Sequence, residues 1–398
     1  MTTSCDILIS GGGIAGLSAA ATFGAAGFDV ICVDPAPPIT DRDVDGSDLR
    51  TTAFLQPAQG LLAQCGLWER LAPHAAPLQI MRIVDAGGDV AKPRIVKDFV
   101  ASEISDQPFG WNLPNWLLRR EMVARLADLP NVDFRPGTAT TSLFTRTGMA
   151  RVGLSDASRV ECRLVLAADG RGSPMRRAAG IGVHTKRYGQ KALAFAVTHT
   201  IPHDNVSTEI HRSGGPFTLV PLPDYQGRPS SAIVWMERGP KAQELLAMDV
   251  AEFEAAMTTR SCGLFGPLTL ASRRTIWPII NQSADRLSGQ RLALMAEAAH
   301  VVPPIGAQGL NMSLNDLRCL VDLASARPEG LGDATMLEAY HKARIRDVKL
   351  RVQGIDLLNR TSMVTARPLR DARALGLSAL YSLAPVRRLL MQMGLGVR

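Results

Sequence analysis

The run Gly11-Gly12-Gly13-Ile14-Ala15-Gly16 constrains this chain more than any other. It follows a strand-like apolar stretch, Cys5 to Ser10, and opens a helical pattern from Ile14 to Ala26; Asp29 to Asp34 then reads as a second strand. The glycines occupy the positions of G-x-G-x-x-G. Gly11 permits a tight turn, Gly13 lets the backbone approach a pyrophosphate, and Gly16 allows the helix to pack closely on the strand. Free N–H groups where the helix starts, around Ile14 and Ala15, favour phosphate charge by typically a few tenths to about 2 kcal/mol. Asp34 closes the second strand 18 residues beyond Gly16, where an acid accepts hydrogen bonds from a ribose. A solvated turn residue before Pro35 is the competing reading of Asp34. The βαβ unit predicts dinucleotide binding, and by itself it does not separate FAD from NAD.

At 398 residues the chain exceeds what one core usually holds, so two domains are expected. Its net charge of +7 favours something anionic, but no run of five like charges and no nucleic-acid module occurs, which argues against nucleic acid. The six cysteines lie far apart, without C-x-x-C pairs or histidines at metal spacing, so they read as reduced, mostly buried residues and no metal is expected. No signal peptide is visible, and no run reaches the roughly 18 apolar residues of a membrane span. A cytoplasmic protein is expected, with peripheral contact at the inner membrane left open.

Further along, Gln64 to Leu71 and Leu117 to Leu129 read as amphipathic helices and Arg163 to Ala168 as a buried strand. From Lys191 to Glu237 strand patterns follow one another without helices, the mark of an antiparallel sheet. Arg291 to Met295 then reads as a buried strand, Leu310 to Ala324 as a helix, and Ala334 to Asn359 as a long helix. The segment Leu375 to Leu395 mixes Leu, Met and Tyr with Arg387 and Arg388, as a membrane-surface helix or a core-packing helix with a basic edge would.

Three segments decide the cofactor. In Ala168-Asp169-Gly170-Arg171-Gly172-Ser173-Pro174-Met175-Arg176, Asp169 and Gly170 stand at a strand end, the glycine allows positive φ, and Arg176 offers a charge. The run Ala296-Glu297-Ala298-Ala299-His300-Val301-Val302-Pro303-Pro304-Ile305-Gly306-Ala307-Gln308-Gly309-Leu310-Asn311 is long and specific; a helix beginning near Leu310 would aim free N–H groups at an anion. Leu118-Arg119-Arg120-Glu121-Met122 is a helix start bearing arginines. Together these resemble the motifs of the class A flavoprotein monooxygenases, the family that includes para-hydroxybenzoate hydroxylase. The resemblance implies that Asp169 and Gly170 close over FAD and bear on NAD(P)H use. It implies that Glu297 holds the ribityl chain, that the turn through Pro304, Gly306, Gln308, Gly309, Leu310 and Asn311 meets the isoalloxazine ring, and that Arg119 lies near the cofactor. The chain departs from the family where Ala296 replaces a glycine, Glu297 an aspartate, and Gly306-Ala307 reverses Ala-Gly. His300 reads as a packed or surface histidine rather than a catalytic one.

Within the family the chain most resembles the ubiquinone-biosynthesis hydroxylases of the UbiH/UbiF type, through Asp48-Leu49-Arg50-Thr51-Thr52-Ala53, Phe217-Thr218-Leu219-Val220-Pro221-Leu222, Val234-Trp235, and Tyr340 with Arg344 and Asp347. That places Arg50 near the flavin, the one catalytic candidate; a surface ion pair is its other reading, and no residue is assigned as base for a phenol proton. The expected fold is α/β. A Rossmann-like FAD-binding domain (1–75, 100–183 and 280–330) is interleaved with a mainly antiparallel-sheet substrate domain (76–99 and 184–279), and C-terminal helices (331–398) follow. The resemblance implies an FAD-dependent monooxygenase that takes electrons from NAD(P)H or another donor. Through a C4a-hydroperoxyflavin it would place one oxygen atom of O2 on the ring of a polyprenylated phenol in ubiquinone biosynthesis, with other quinone-biosynthesis proteins as partners. Alternatives are a hydroxylase of another aromatic substrate, a prenyl reductase or halogenase on the same fold, and a non-catalytic FAD-binding subunit.

Overall fold

Ile7, Leu8 and Ile9 are fully buried, as an uninterrupted apolar strand must be when helices cover both faces of its sheet. In the computed structural model, residues 2–395 are described apart from 89, 213, 365–369, 372–374 and 377–379. Thr2–Ser10 lies in an eight-stranded sheet. Its order runs Ser288–Gly289, Leu292–Leu294, Arg159–Ala167, Thr2–Ser10, Val30–Asp34, Val132–Pro136, with a hairpin of Thr140–Thr145 and Ala150–Leu154 added to Arg159–Ala167. The five strands from Leu292–Leu294 to Val132–Pro136 are parallel. The helices Ile14–Ala25, Asn115–Ala127, Gln308–Ala326 and Ala334–Ser362 share one apolar core with this sheet.

A nine-stranded sheet forms the other half. Its order is His300–Val301, Thr275–Ala284, Val183–Thr198, Arg228–Arg238, Pro216–Tyr225, Val206–His211, Ile80–Asp85, Ile95–Val100, with Thr269–Leu270 beside Val183–Thr198. Its pairs are antiparallel except Val206–His211 with Ile80–Asp85. Leu193, Phe195, Val197, Phe217, Ile233 and Trp235 make a second core with residues such as Phe253 and Met257 of the Val250–Arg260 helix. A small antiparallel sheet of Thr51–Leu55, Gly110–Pro114 and Ala76–Leu78 lies apart from both. The α/β architecture with a mainly antiparallel second sheet is the one expected.

Several elements differ in detail. The segment read as one helix over Gln64 to Leu71 is two, Gln56–Gln64 and Trp68–Leu71, parted at Gly66 with φ +72°. The helix expected from Leu310 begins at Gln308 and runs to Ala326. Of the segment Leu375 to Leu395, residues 377–379 lie outside the described residues, and Ala384–Leu395 is a helix.

Candidate active site

Parallel pairing brings three distant turns to one edge. Ser10 pairs with Ala167 and with Val33, and Ala167 with Leu294. The chain therefore leaves neighbouring strand ends as Gly11, Ala168-Asp169 and Met295-Ala296-Glu297. Thr2–Ser10 has Val30–Asp34 on one side and Arg159–Ala167 on the other, which is the switch point where open α/β sheets bind ligands outside the carboxyl ends of their strands. The amide of Ala168 donates to Ser10 O (2.8 Å) and that of Met295 to Ala167 O (3.0 Å), fastening the turns together.

The first turn is closed where the protein needs it closed and open where a ligand would lie. A Cβ on Gly16 would stand 1.8 Å from Gly11 O, and one on Gly11 2.5 Å from Ala168 O, whereas one on Gly13 would meet nothing within 4 Å. Asp34 Oδ2 accepts from Gly12 N at 2.7 Å and Oδ1 from Ala36 N at 2.9 Å, so its carboxylate is fixed at the strand end.

In the second turn Gly170 has φ +80°. Asp169 Oδ2 accepts from Met175 N (3.1 Å) and Ser10 Oγ (3.4 Å), while Oδ1 is buried and, among the described residues, has no hydrogen-bond partner. Burial raises the Asp169 pKa against the lowering effect of Ser173 and Met175. Arg176 is itself buried and donates to Ala298 O (2.7 Å) and Arg171 O (2.8 Å), tying this turn to the third.

The third turn takes left-handed backbone at alanine as well as at glycine. Ala296 and Ala307 both take positive φ, +54° each, beside Gly306 at +63°. Glu297 is exposed, and its charge acts on Arg50. Ala307 caps the Gln308–Ala326 helix, and Asn311 fastens it: its Nδ2 donates to Ala53 O (2.8 Å) and Ala307 O (2.7 Å), and its Oδ1 accepts from Leu55 N (2.9 Å). The N–H groups of Gln308, Gly309 and Leu310 lie in the first turn of a 19-residue helix, where no intrahelical acceptor exists. Gln308 donates to Gly306 O (2.9 Å) and Gly394 O (3.0 Å) and accepts from Arg351 (2.7 Å). His300 is packed, its Nε2 2.6 Å from Asp316 Oδ2, and Asp316 Oδ1 accepts from Arg344 Nε at 2.7 Å.

Arg50 and Arg119 converge on Asp48. Arg50 donates through Nε and Nη2 at 2.7 Å each, Asn115 Nδ2 at 2.9 Å, and Arg119 Nη2 at 3.3 Å. Burial alone would raise the Asp48 pKa, but these donors, Arg50 first, hold it below the ordinary carboxylate value. The Arg50 guanidinium also lies 5.4 Å from the centre of the Trp277 ring.

Trp277 leads to a surface that motif reading missed. On Val183–Thr198 the side chains alternate: Leu193, Phe195 and Val197 enter the second core, and Ala192, Ala194 and Ala196 stand on the opposite face. Ala192 packs with Met236, Ile279 and Trp277, and Ala196 with Leu222 and Ala232. Ala196, Leu222 and Ser230 line a cleft with Leu49, Thr51 and Trp116. The signal was in the sequence, as Ala-Leu-Ala-Phe-Ala with period two.

Residues 4–354 match the family described as FAD binding domain. Over 98% of its length the chain is 32% identical to ubiquinone hydroxylase UbiL of Rhodospirillum rubrum, 89% of which is covered. It is 26% identical to the 3-demethoxyubiquinol 3-hydroxylase of Escherichia coli, with 98% of each chain covered. Among solved structures it superposes on PqsL of Pseudomonas aeruginosa in complex with 2-aminobenzoylacetate (TM-score 0.78, 21% identity, 94% of this chain and 100% of that one). It likewise superposes on p-nitrophenol 4-monooxygenase PnpA of Pseudomonas putida (TM-score 0.77, 17% identity, 100% and 99%).

Proposed function

The chain belongs to the FAD binding domain family, and from that premise we propose that it is an FAD-dependent monooxygenase hydroxylating the aromatic ring of a polyprenylated phenol in ubiquinone biosynthesis. The single observation that carries this reading is the register Val33–Ser10–Ala167–Leu294, which stacks the three turns beside one another. The residues present fit FAD. Gly13 leaves backbone open to a pyrophosphate, Asp34 stands ready for ribose hydroxyls, and Asp169 offers an unused buried oxygen. Glu297 supplies a carboxylate for the ribityl chain.

FAD, when bound, supplies the oxygen chemistry, with NAD(P)H or another donor reducing it. The protein supplies the rest. The first-turn N–H groups of Gln308, Gly309 and Leu310 would stabilise negative charge on a bound isoalloxazine ring. The Asp48 carboxylate holds the Arg50 guanidinium, and Arg119 adds a second cation on the same anchor. The cleft beside Ala196 would take a planar ring, with Leu222, Leu49 and Trp116 as apolar walls that limit water around it. A polyprenylated phenol travels in a lipid phase, so the reading includes peripheral membrane contact and handover from other quinone-biosynthesis proteins.

The test is reconstitution with FAD, an electron donor, labelled O2 and a short-chain prenylated phenol. Incorporation of label into the ring is expected. A protein that stays colourless with FAD sinks the reading, and so does one whose flavin is reduced and reoxidised without oxygen entering any phenol. Accumulation of an under-hydroxylated quinone precursor in cells lacking the chain identifies the ring position.

A further inference from the structure

The positive charge of this chain is concentrated. Residues 334–398 hold twelve Lys and Arg against four Asp and Glu, more than the whole excess of +7, and residues 1–333 balance to within one charge. The same stretch carries most of the exposed apolar surface. Among the described residues, nine of the seventeen exposed large apolar side chains fall between Leu350 and Met393.

These side chains form stripes. At about 100° per residue, Arg346, Leu350 and Leu357 share one line on the Ala334–Ser362 helix, with Lys342, Lys349 and Arg360 alongside, all of them exposed. On Ala384–Leu395, Leu389, Leu390 and Met393 are 56%, 43% and 55% exposed and occupy one face. The opposite face is docked, with Met391 and Leu395 buried against Leu55, Ala101 and Phe109, and Arg387 paired with Glu103 at 2.7 Å. The two helices meet at Gln308, which bonds both Arg351 and Gly394. A helix whose second apolar face points outward beside cations has the composition that enters a headgroup boundary.

We propose that this face docks on an anionic phospholipid bilayer, its leucine stripes at the headgroup boundary and its lysines and arginines on the phosphates. The occupant follows from charge: each basic residue near an anionic surface contributes on the order of 1 kcal/mol, and the cations lie where the leucines are. Docking stands without the hydroxylase reading. Its use, bringing a lipid-borne phenol beside Leu55 and the Gln308 turn, rests on that reading.

The experiment is flotation of the full, FAD-loaded chain with vesicles of phosphatidylcholine, with and without phosphatidylglycerol. Binding to the phosphatidylglycerol vesicles that weakens as salt rises is expected. Arg346→Glu with Lys349→Glu should weaken it on the order of tenfold or more. Leu389→Ser with Leu390→Ser should weaken it comparably, while flavin absorbance and the unfolding transition stay unchanged. Failure to float, or flotation indifferent to both pairs of substitutions, overturns the proposal. A salt-insensitive dimer abolished by the leucine substitutions also overturns it, because the face would then belong to a second copy. Ring hydroxylation of a soluble phenol by a chain that does not float removes the docking proposal alone, and flotation by a chain that hydroxylates nothing removes only the hydroxylase reading.

Discussion

Gly13 and Gly16 separate what the cofactor needs from what the fold needs. Gly13→Ala adds a methyl group where nothing stands within 4 Å, so the FAD-free protein should unfold as before while FAD affinity drops on the order of tenfold or more. Gly16→Ala drives a Cβ against Gly11 O, and a fall in the melting temperature of the FAD-free protein is expected. Two carboxylates titrate in opposite senses. Asp48 has a lowered pKa, so its contribution is present above the usual carboxylate value and is lost as pH falls. Asp169 has a raised pKa, so its contribution is present in acid and is lost as pH rises through that value. Thermal scans of the FAD-free protein should show Asp48→Asn destabilising at neutral pH with the deficit shrinking in acid. Asp169→Asn should stabilise at neutral pH with the gain vanishing in acid, while weakening FAD binding. Ala307 is the third case. An alanine at φ +54° costs about 1–2 kcal/mol against glycine there, partly offset in the unfolded chain. Ala307→Gly should raise the melting temperature by roughly 1–2 °C.

At the scale of elements, legibility followed the length and chemistry of the signal. The βαβ unit was readable because glycine at Gly11, Gly13 and Gly16 answers to sterics that depend only on the neighbouring strand and helix. The antiparallel run was readable because consecutive strands keep period two. The sequence pattern points to a helix start two residues after Gln308 because Ala307, not a glycine, supplies the left-handed cap, and propensity gives no hint of that. The break in Gln64 to Leu71 was missed because the apolar spacing continues across Gly66. Asp48 stands in the sequence as one residue of a motif, and nothing local shows that Asn115 and Arg119 join Arg50 on it across a separation of up to 71 residues. The alanine face was visible but lacked meaning until the sheet gave it a partner. Its role has a direct check: Ala196→Leu should fill the cleft that Ala196 lines and raise KM or abolish turnover, while FAD content remains near that of the parent.

In the whole molecule the chain links the two large sheets at more than one place, and the ribbon of Val183–Thr198 with Thr275–Ala284 is one of these links. Val183–Thr198 and Thr275–Ala284 pair from Val183 with Ala284 to Ala194 with Thr275, running from the end beside the second turn, where Gln282 donates to Arg171 O at 3.0 Å, into the nine-stranded sheet. The pairing slips between Arg187 and Lys191, and Gly189 there has φ +69° with open space around it. Gly189→Ala should cost about 1 kcal/mol of stability, read as a lower melting temperature of the FAD-free protein. Where a ladder is interrupted the extra residues are left unpaired and the strand bends. The slip at Arg187–Lys191 interrupts the ladder, and the strand there is held from outside the sheet instead: Lys186 and Tyr188 donate to Asp356 and Asn359 donates to Gln190, so the long helix fastens both sides of Gly189.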